Sequence, residues 1–460
     1  MKSPNLVILF TDDQRFDTIA ALGNPAVKTP NMDRLVAAGT SCTHAHIPGG
    51  IHPAVCMPSR AMLHTGRTLF HLQDAGKEIP ESHRLLGELL KSQGYQTWAT
   101  GKWHNGKSSF NRAFQDGDEI MFGGMADHWN VPVHHYDPEG KYASRLPEVK
   151  DTWSSNELTF RDADHINNGV HSSELFADAA VDWLQNYRSE NPYFMYISFM
   201  APHDPRTMPD RFKKMYPEDS IELPENFLNQ HSFEYGVREV RDEMLANYPR
   251  EESEIQRHIA EYYGMISHLD DEIGKILDAV ESRGEWEDTL FVFAGDNGLA
   301  LGQHGLMGKQ SAYDHSVRVP LIFSGPGIPK NKKTDVLCYL LDVFPTLCDL
   351  LKIDIPESVE GKSLANVICN RESKHRESLY FAYHNLIRAV RKGDYKWIHY
   401  KYQDAHRYQL FDLKKDPLER NNLANSESAS AIIEDLKREL LYYKDTWEDL
   451  DHPSSVEFWG

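Results

Sequence analysis

Four short apolar runs in this chain each break off into a polar cluster, and this pattern constrains the fold more than any other feature. Leu6–Phe10 leads into Thr11-Asp12-Asp13, and Tyr95–Thr100 into Gly101-Lys102-Trp103-His104. Tyr193–Met200 leads into Ala201-Pro202-His203-Asp204, and Thr289–Ala294 into Gly295-Asp296-Asn297-Gly298. Helical patterns alternate with these runs, at Asn31 to Gly39, Ser82 to Gln93, Ser172 to Tyr187 and Glu254 to Ser282, and Pro320–Ser324 reads as a further strand. Short apolar strands alternating with helices predict an α/β domain with a largely parallel sheet. Ligands of such sheets bind beyond the carboxyl ends of the strands, so the four clusters should share one edge. A single Asp or Asn after a strand usually makes a turn or caps a helix. Four in step read as a site.

Between Asn105 and His171 the periodicity fails, and Gly, His, Trp and Tyr accumulate; so long an irregular stretch is read as functional or poorly ordered. Past Arg371 short strand patterns (Ser378–Tyr383, Ile387–Arg391, Lys396–Tyr400, Tyr408–Leu413) precede a helix at Ser428–Tyr443. This predicts a main domain over 1–370 and a small α+β subdomain over 371–460. The 460 residues suffice for a substantial core. Five cysteines are too sparse for a disulfide scaffold. A net charge of −20 argues against nucleic acid or an anionic membrane as partner, and an anionic substrate would need a local cationic pocket. No apolar run is long enough to span a bilayer, and the N-terminus enters a strand pattern almost at once. The expectation is a cytoplasmic protein as written, or a periplasmic or secreted one if a leader was trimmed.

Asp12, Asp13, Asp296 and Asn297 offer only oxygen ligands, which suits Ca²⁺, with Mg²⁺ as the less favoured alternative. No HExxH or paired CxxC supports zinc. In Cys56-Met57-Pro58-Ser59-Arg60, Pro shortly after the cysteine and helix-tolerant residues up to Gly66 place Cys56 at a helix N-terminus. Free N–H groups there favour an anion, and Arg60, four residues on, returns to the same face. A low-pKa thiolate and a buried structural cysteine are both open readings.

Cys56-Met57-Pro58-Ser59-Arg60 followed by Thr65-Gly66-Arg67 resembles the signature of the type I, formylglycine-dependent sulfatases. The clusters at Asp12-Asp13, Gly101 to His104, Ala201 to His203, Gly295 to Gly298 and Gly308-Lys309 match the family in order, so the resemblance covers about Asn5 to Leu364. It implies an alkaline-phosphatase-like fold: a large mixed, mainly parallel sheet sandwiched by helices, with a small C-terminal α+β subdomain. It also implies that a formylglycine-generating maturation enzyme converts Cys56 to 3-oxoalanine, whose hydrate attacks a sulfate ester. Residue 56 would then bind the metal together with Asp12, Asp13, Asp296 and Asn297. Arg60, Lys102 and Lys309 would neutralise the sulfate. His203 would protonate the leaving alcohol, with Lys309 as the competing choice, and His104 would help expel sulfate. His64 departs from the family, where an apolar residue is common, without consequence for the chemistry.

For the substrate, loop residues His46, His52, His128, Trp129, His134, His135 and Tyr136 are candidates, with His315 and Arg318 after Lys309. Aromatic and histidine-rich loops suit a sugar ring, and equally suit the packing of an irregular loop. The segments Pro202 to Pro217 and Ala300 to Gly305 resemble glycan sulfatases of the iduronate-2-sulfatase kind, so a sulfated saccharide is the expected substrate. The rival readings are a phosphonate monoester or phosphodiester hydrolase on the same fold, an arylsulfatase acting on small esters, and a glycan-binding protein that has lost catalysis.

Overall fold

The computed structural model describes residues 3–460. Its centre is an eight-stranded sheet of β1 (Asn5–Thr11), β2 (Gly39–Cys42), β3 (Gln96–Trp103), β4 (Asp116–Phe122), β5 (Tyr193–Ser198), β6 (Thr289–Gly295), β7 (Leu321–Ser324) and β8 (Lys332–Thr334). The spatial order is β8-β2-β7-β6-β1-β5-β3-β4. β6, β1, β5, β3 and β4 run parallel, whereas β7 pairs antiparallel with both β6 and β2. The sheet is therefore mixed and mainly parallel, as the sequence pattern predicts.

Continuous apolar strands arise because both faces are covered. Along β1, Leu6, Ile8 and Phe10 enter one apolar cluster while Val7 and Leu9 enter the other. Helices α1 (Pro30–Ala38), α4 (Ser172–Asn186) and the 31-residue α5 (Glu252–Ser282) pack on the Val7 face. Helices α2 (Cys56–Thr65), α3 (Leu86–Ser92) and α6 (Val343–Leu351) cover the Leu6 face. The predicted Ser82–Gln93 helix is shorter, because the Leu85 N–H is capped by the Glu88 carboxylate at 2.9 Å and the chain turns before it.

The stretch from Asn105 to His171 is more regular than its sequence suggests. It holds the helix Lys107–Ala113, the edge strand β4 and a hairpin, Arg145–Val149 with Leu158–Asp162. β4 (DGDEIMF) escaped the reading because an edge strand keeps charged residues half in water. Beyond it, β9 (Ser378–Tyr383), β10 (Ile387–Lys392), β11 (Tyr395–Tyr402) and β12 (Ala405–Asp412) form an antiparallel sheet. Gly49–Gly50, from the loop before Cys56, adds a fifth, parallel strand beside β9. Helix α7 (Ser430–Thr446) places Leu436 and Leu440 in the cluster that also contains Leu6 and Ile8.

Candidate active site

β6, β1, β5 and β3 are neighbours in that order, so their carboxyl ends lie side by side and the four polar clusters meet. Backbone bonds lock them together: Asp12 N donates to Ala201 O (3.1 Å) and Asp296 N to Thr11 O (3.0 Å). Asp13 has φ 61°, a left-handed turn that aims its N–H at Asp296 Oδ1, 2.9 Å away. Gly101 bends β3 with φ 88°; a Cβ there would lie 2.0 Å from Ser198 O, so only glycine lets the strand place Lys102 and His104 beside β5.

The acids are matched by cations from elsewhere. Arg60 Nε and Nη2 each lie 3.0 Å from Asp296 Oδ2, and Nη2 is 3.2 Å from Asp12 Oδ2. Lys102 Nζ donates to Asp12 Oδ2. Lys309 Nζ and Asn297 Nδ2 each donate to Asp13 Oδ1 at 2.6 Å, and His203 Nε2 faces Asp13 Oδ2 at 3.6 Å. Burial raises the Asp12 carboxyl, but Lys102 and Arg60 outweigh it and hold it well below the usual range. Burial and the Asp12 charge push Asp296 up against the pull of Arg60.

Cys56 opens α2, as expected. Its Sγ lies 3.6 Å from both His104 Nδ1 and Lys102 Nζ. Burial pushes the thiol up despite Lys102, so the low-pKa thiolate reading is not supported. Burial, then Lys102 and Arg60, push His104 down to about 2, leaving a neutral imidazole. Burial works against the charge on Lys309, but Asp13, together with Cys56, Asp242 and Asp12, outweighs it and keeps the ammonium protonated.

A divalent cation fits this centre. Asp12 Oδ1 and Asn297 Oδ1 are buried oxygens without hydrogen-bond partners. Ligand atoms of Asp12, Cys56 and Asp296 lie within 4.8 Å of one another, as do those of Asp12, Asp13 and His203. Oxygen donors with three carboxylates suit Ca²⁺.

The substrate-reading candidates scatter. His128 is fully buried, with Nδ1 2.6 Å from Ser172 Oγ and Nε2 2.9 Å from His203 O, so it props the His203 loop and cannot face a substrate. His315 is 5 % exposed and packs on Tyr313 and His304. Arg318 is spent on Thr43 O (2.7 Å), on Asp314 and on the face of Phe16. These three are corrected to structural roles, and packing drove the burial. Fully buried His46 holds His44 O (2.8 Å), buried His134 faces Asp164, and the Tyr136 hydroxyl donates to Phe114 O, which adds them to the correction. His135 is exposed but paired with Asp118, and Trp129 sits edge-on to His171. His52 remains exposed on the loop leading into Cys56.

Several site residues have no role in the sequence reading, although Ser59 lies within the Cys56 signature and Asp204 within a strand-end cluster. Ser198 accepts from Arg60 Nη1, Ser59 Oγ donates to Asp296 O (2.6 Å), and Gln310 Oε1 accepts from Lys309 N (3.0 Å). Arg241 grips Asp204, the neighbour of His203, through both carboxylate oxygens. For Asp204 the hint was its place in the cluster after Tyr193–Met200, and for Gln310 its adjacency to Lys309. Arg241 lies in a patternless stretch.

Comparison with known proteins agrees with this geometry. Residues 4–353 match the family model described as Sulfatase, and residues 302–446 match that of the N-sulphoglucosamine sulphohydrolase C-terminal region. An arylsulfatase of Clostridium perfringens is 28% identical, covering 95% of this chain and 94% of its own. An N-acetylglucosamine-6-O-sulfatase of Bacteroides thetaiotaomicron is 24% identical, with 100% and 90% coverage. A solved structure in complex with its substrate D-glucosamine-2-N,6-O-disulfate superimposes with a TM-score of 0.78 at 22% identity, over 99% of each chain. The mixed sheet clasped by helices is the alkaline-phosphatase-like fold, and with its acids, cations and Cys56 gathered on one edge the chain belongs to the sulfatase family of sulfuric ester hydrolases.

Proposed function

We propose that this protein removes sulfate from a sulfated carbohydrate, with formylglycine made from Cys56 by a maturation enzyme and Ca²⁺ held by Asp12, Asp13, Asp296 and Asn297. The observation that carries the reading is the position of Cys56, whose Sγ sits within 3.6 Å of both Lys102 and His104 beside the carboxylates of Asp12 and Asp296. When present, formylglycine would supply a nucleophilic oxygen and Ca²⁺ a Lewis acid. Arg60, Lys102 and Lys309 are fixed cations that favour an anionic sulfate and its transition state without reorganising. His104 Nδ1 is placed to take a proton from side chain 56. On the other flank, His203 Nε2 and Lys309 Nζ both face Asp13 and are the two donors available to the leaving oxygen. The carbohydrate substrate is supported by relatives named for amino-sugar sulfates.

The test is co-expression with a formylglycine-generating enzyme, followed by peptide mass spectrometry at Cys56 and by sulfate release from defined saccharides and an aryl sulfate. Oxidation at Cys56 together with desulfation is expected. A thiol retained at 56 with no sulfate released would overturn the reading in favour of a glycan-binding protein. Faster turnover of an aryl phosphonate monoester would move the enzyme to the phosphonate hydrolases.

A further inference from the structure

Beside the catalytic centre, four separate segments build a second polar network. Arg241 donates to both oxygens of Asp204, through Nη1 at 2.8 Å and through Nη2, and its Nη1 also reaches Asp242 Oδ1 at 3.2 Å. Asp242 Oδ2 accepts from Gln310 Nε2 at 2.6 Å, and the same amide nitrogen lies 3.1 Å from Pro53 O, three residues before Cys56. The network thus touches the His203 loop, the Lys309 loop and the segment leading into Cys56. The inner members, His203, Asp204 and Lys309, have side chains 4 to 7 % exposed. Exposure rises outward, to 14 % for Asp242 and 42 % for Arg241. Asp242 is therefore the more exposed acid of this network, within electrostatic reach of Lys309 and His203.

That position matters because the leaving oxygen must lie between His203 and Lys309, so the sugar that carries it has to pass this network. Arg241 is shared between two carboxylates, so the trio Asp204, Asp242 and Arg241 keeps one net negative charge. An ionised carboxylate has about four lone-pair sites, and Asp242 uses two, leaving room for hydroxyl or ammonium donors. The same charge repels a carboxylate or a second sulfate at that place.

Building on the hydrolase reading above, we propose that Asp242 is a specificity residue. It accepts hydrogen bonds from a ring hydroxyl or amino group of the sulfated sugar, and it selects neutral or amino hexose sulfates over uronate sulfates.

The matured holoenzyme and Asp242→Asn are compared on 6-O-sulfated glucosamine, on a 2-O-sulfated uronate and on 4-nitrophenyl sulfate, which has no hydroxyl for Asp242 to hold. Wild type is expected to prefer the hexosamine sulfate to the uronate at least tenfold in kcat/KM. The variant should lose about 10- to 100-fold on the hexosamine, mainly through KM, and at least fivefold less on the aryl sulfate. An equal loss on both substrates, or a wild type that prefers the uronate, overturns the proposal. Asp242→Glu, which keeps the charge, should recover part of the hexosamine activity; recovery by neither variant with a lowered melting temperature would mark a purely structural role. Absence of turnover on every sulfate, the aryl ester included, would instead strike the hydrolase reading.

Discussion

Arg60 Nε and Nη2 both lie 3.0 Å from Asp296 Oδ2, and Nη2 continues to Asp12 at 3.2 Å. One buried guanidinium thus joins acids delivered by β1 and β6. Arg60→Ala would leave both carboxylates buried without it. The expected outcome is a loss of about 3–5 kcal/mol in stability, read from the urea midpoint, with activity falling to background. An unchanged midpoint would refute the clamp.

Cys56 contributes little packing beyond its small side chain, whereas the proposed chemistry passes entirely through it. Cys56→Ala should reduce turnover at least 10³-fold while altering stability by only about 1 kcal/mol. Residual turnover above a tenth of wild type would show that another group attacks sulfur.

Asp12 Oδ1 and Asn297 Oδ1 are the unpartnered oxygens of the proposed metal site. Ca²⁺ at 100 times its Kd should stabilise the chain by about 2.7 kcal/mol, and a chelator should remove that gain. Asp12→Ala should abolish the Ca²⁺-dependent rise in melting temperature. A variant that still shows the full rise would take Asp12 out of the ligand set.

His64 is completely buried against Trp103 and Tyr196, and neither ring nitrogen has a partner. Burial, reinforced by Arg60, pushes it down to about 3. Because the folded value is depressed, the stability tied to neutral His64 is fully present above pH 6.5 and is lost as pH falls from 6.5 towards 3. His64→Leu removes two unsatisfied nitrogens and should stabilise by about 1–3 kcal/mol at pH 7. It should also flatten the acid limb by up to about 1.4 kcal/mol per pH unit between pH 6 and 4. Denaturation curves of the two proteins with the same pH slope would contradict this.

The catalytic centre was legible because its parts are local. Asp12-Asp13, Lys102, His203 and Asp296-Asn297 each sit directly after an apolar run, and Pro58 with Gly66 marks the helix that begins at Cys56. In a parallel sheet, such strand ends share one edge whatever the order of the strands.

The surroundings of that centre were not legible, because they depend on which distant segments pack together. His128, read as a sugar contact, became the prop of His203 once Ser172 arrived beside it. β4 looked charged and irregular but closes the sheet by pairing with β3. Arg241 and Asp242 carry no pattern of their own and acquire a role only against Asp204 and Gln310. Strand-end chemistry is encoded over a few residues, whereas burial and pairing across loops arise only when the chain closes on itself.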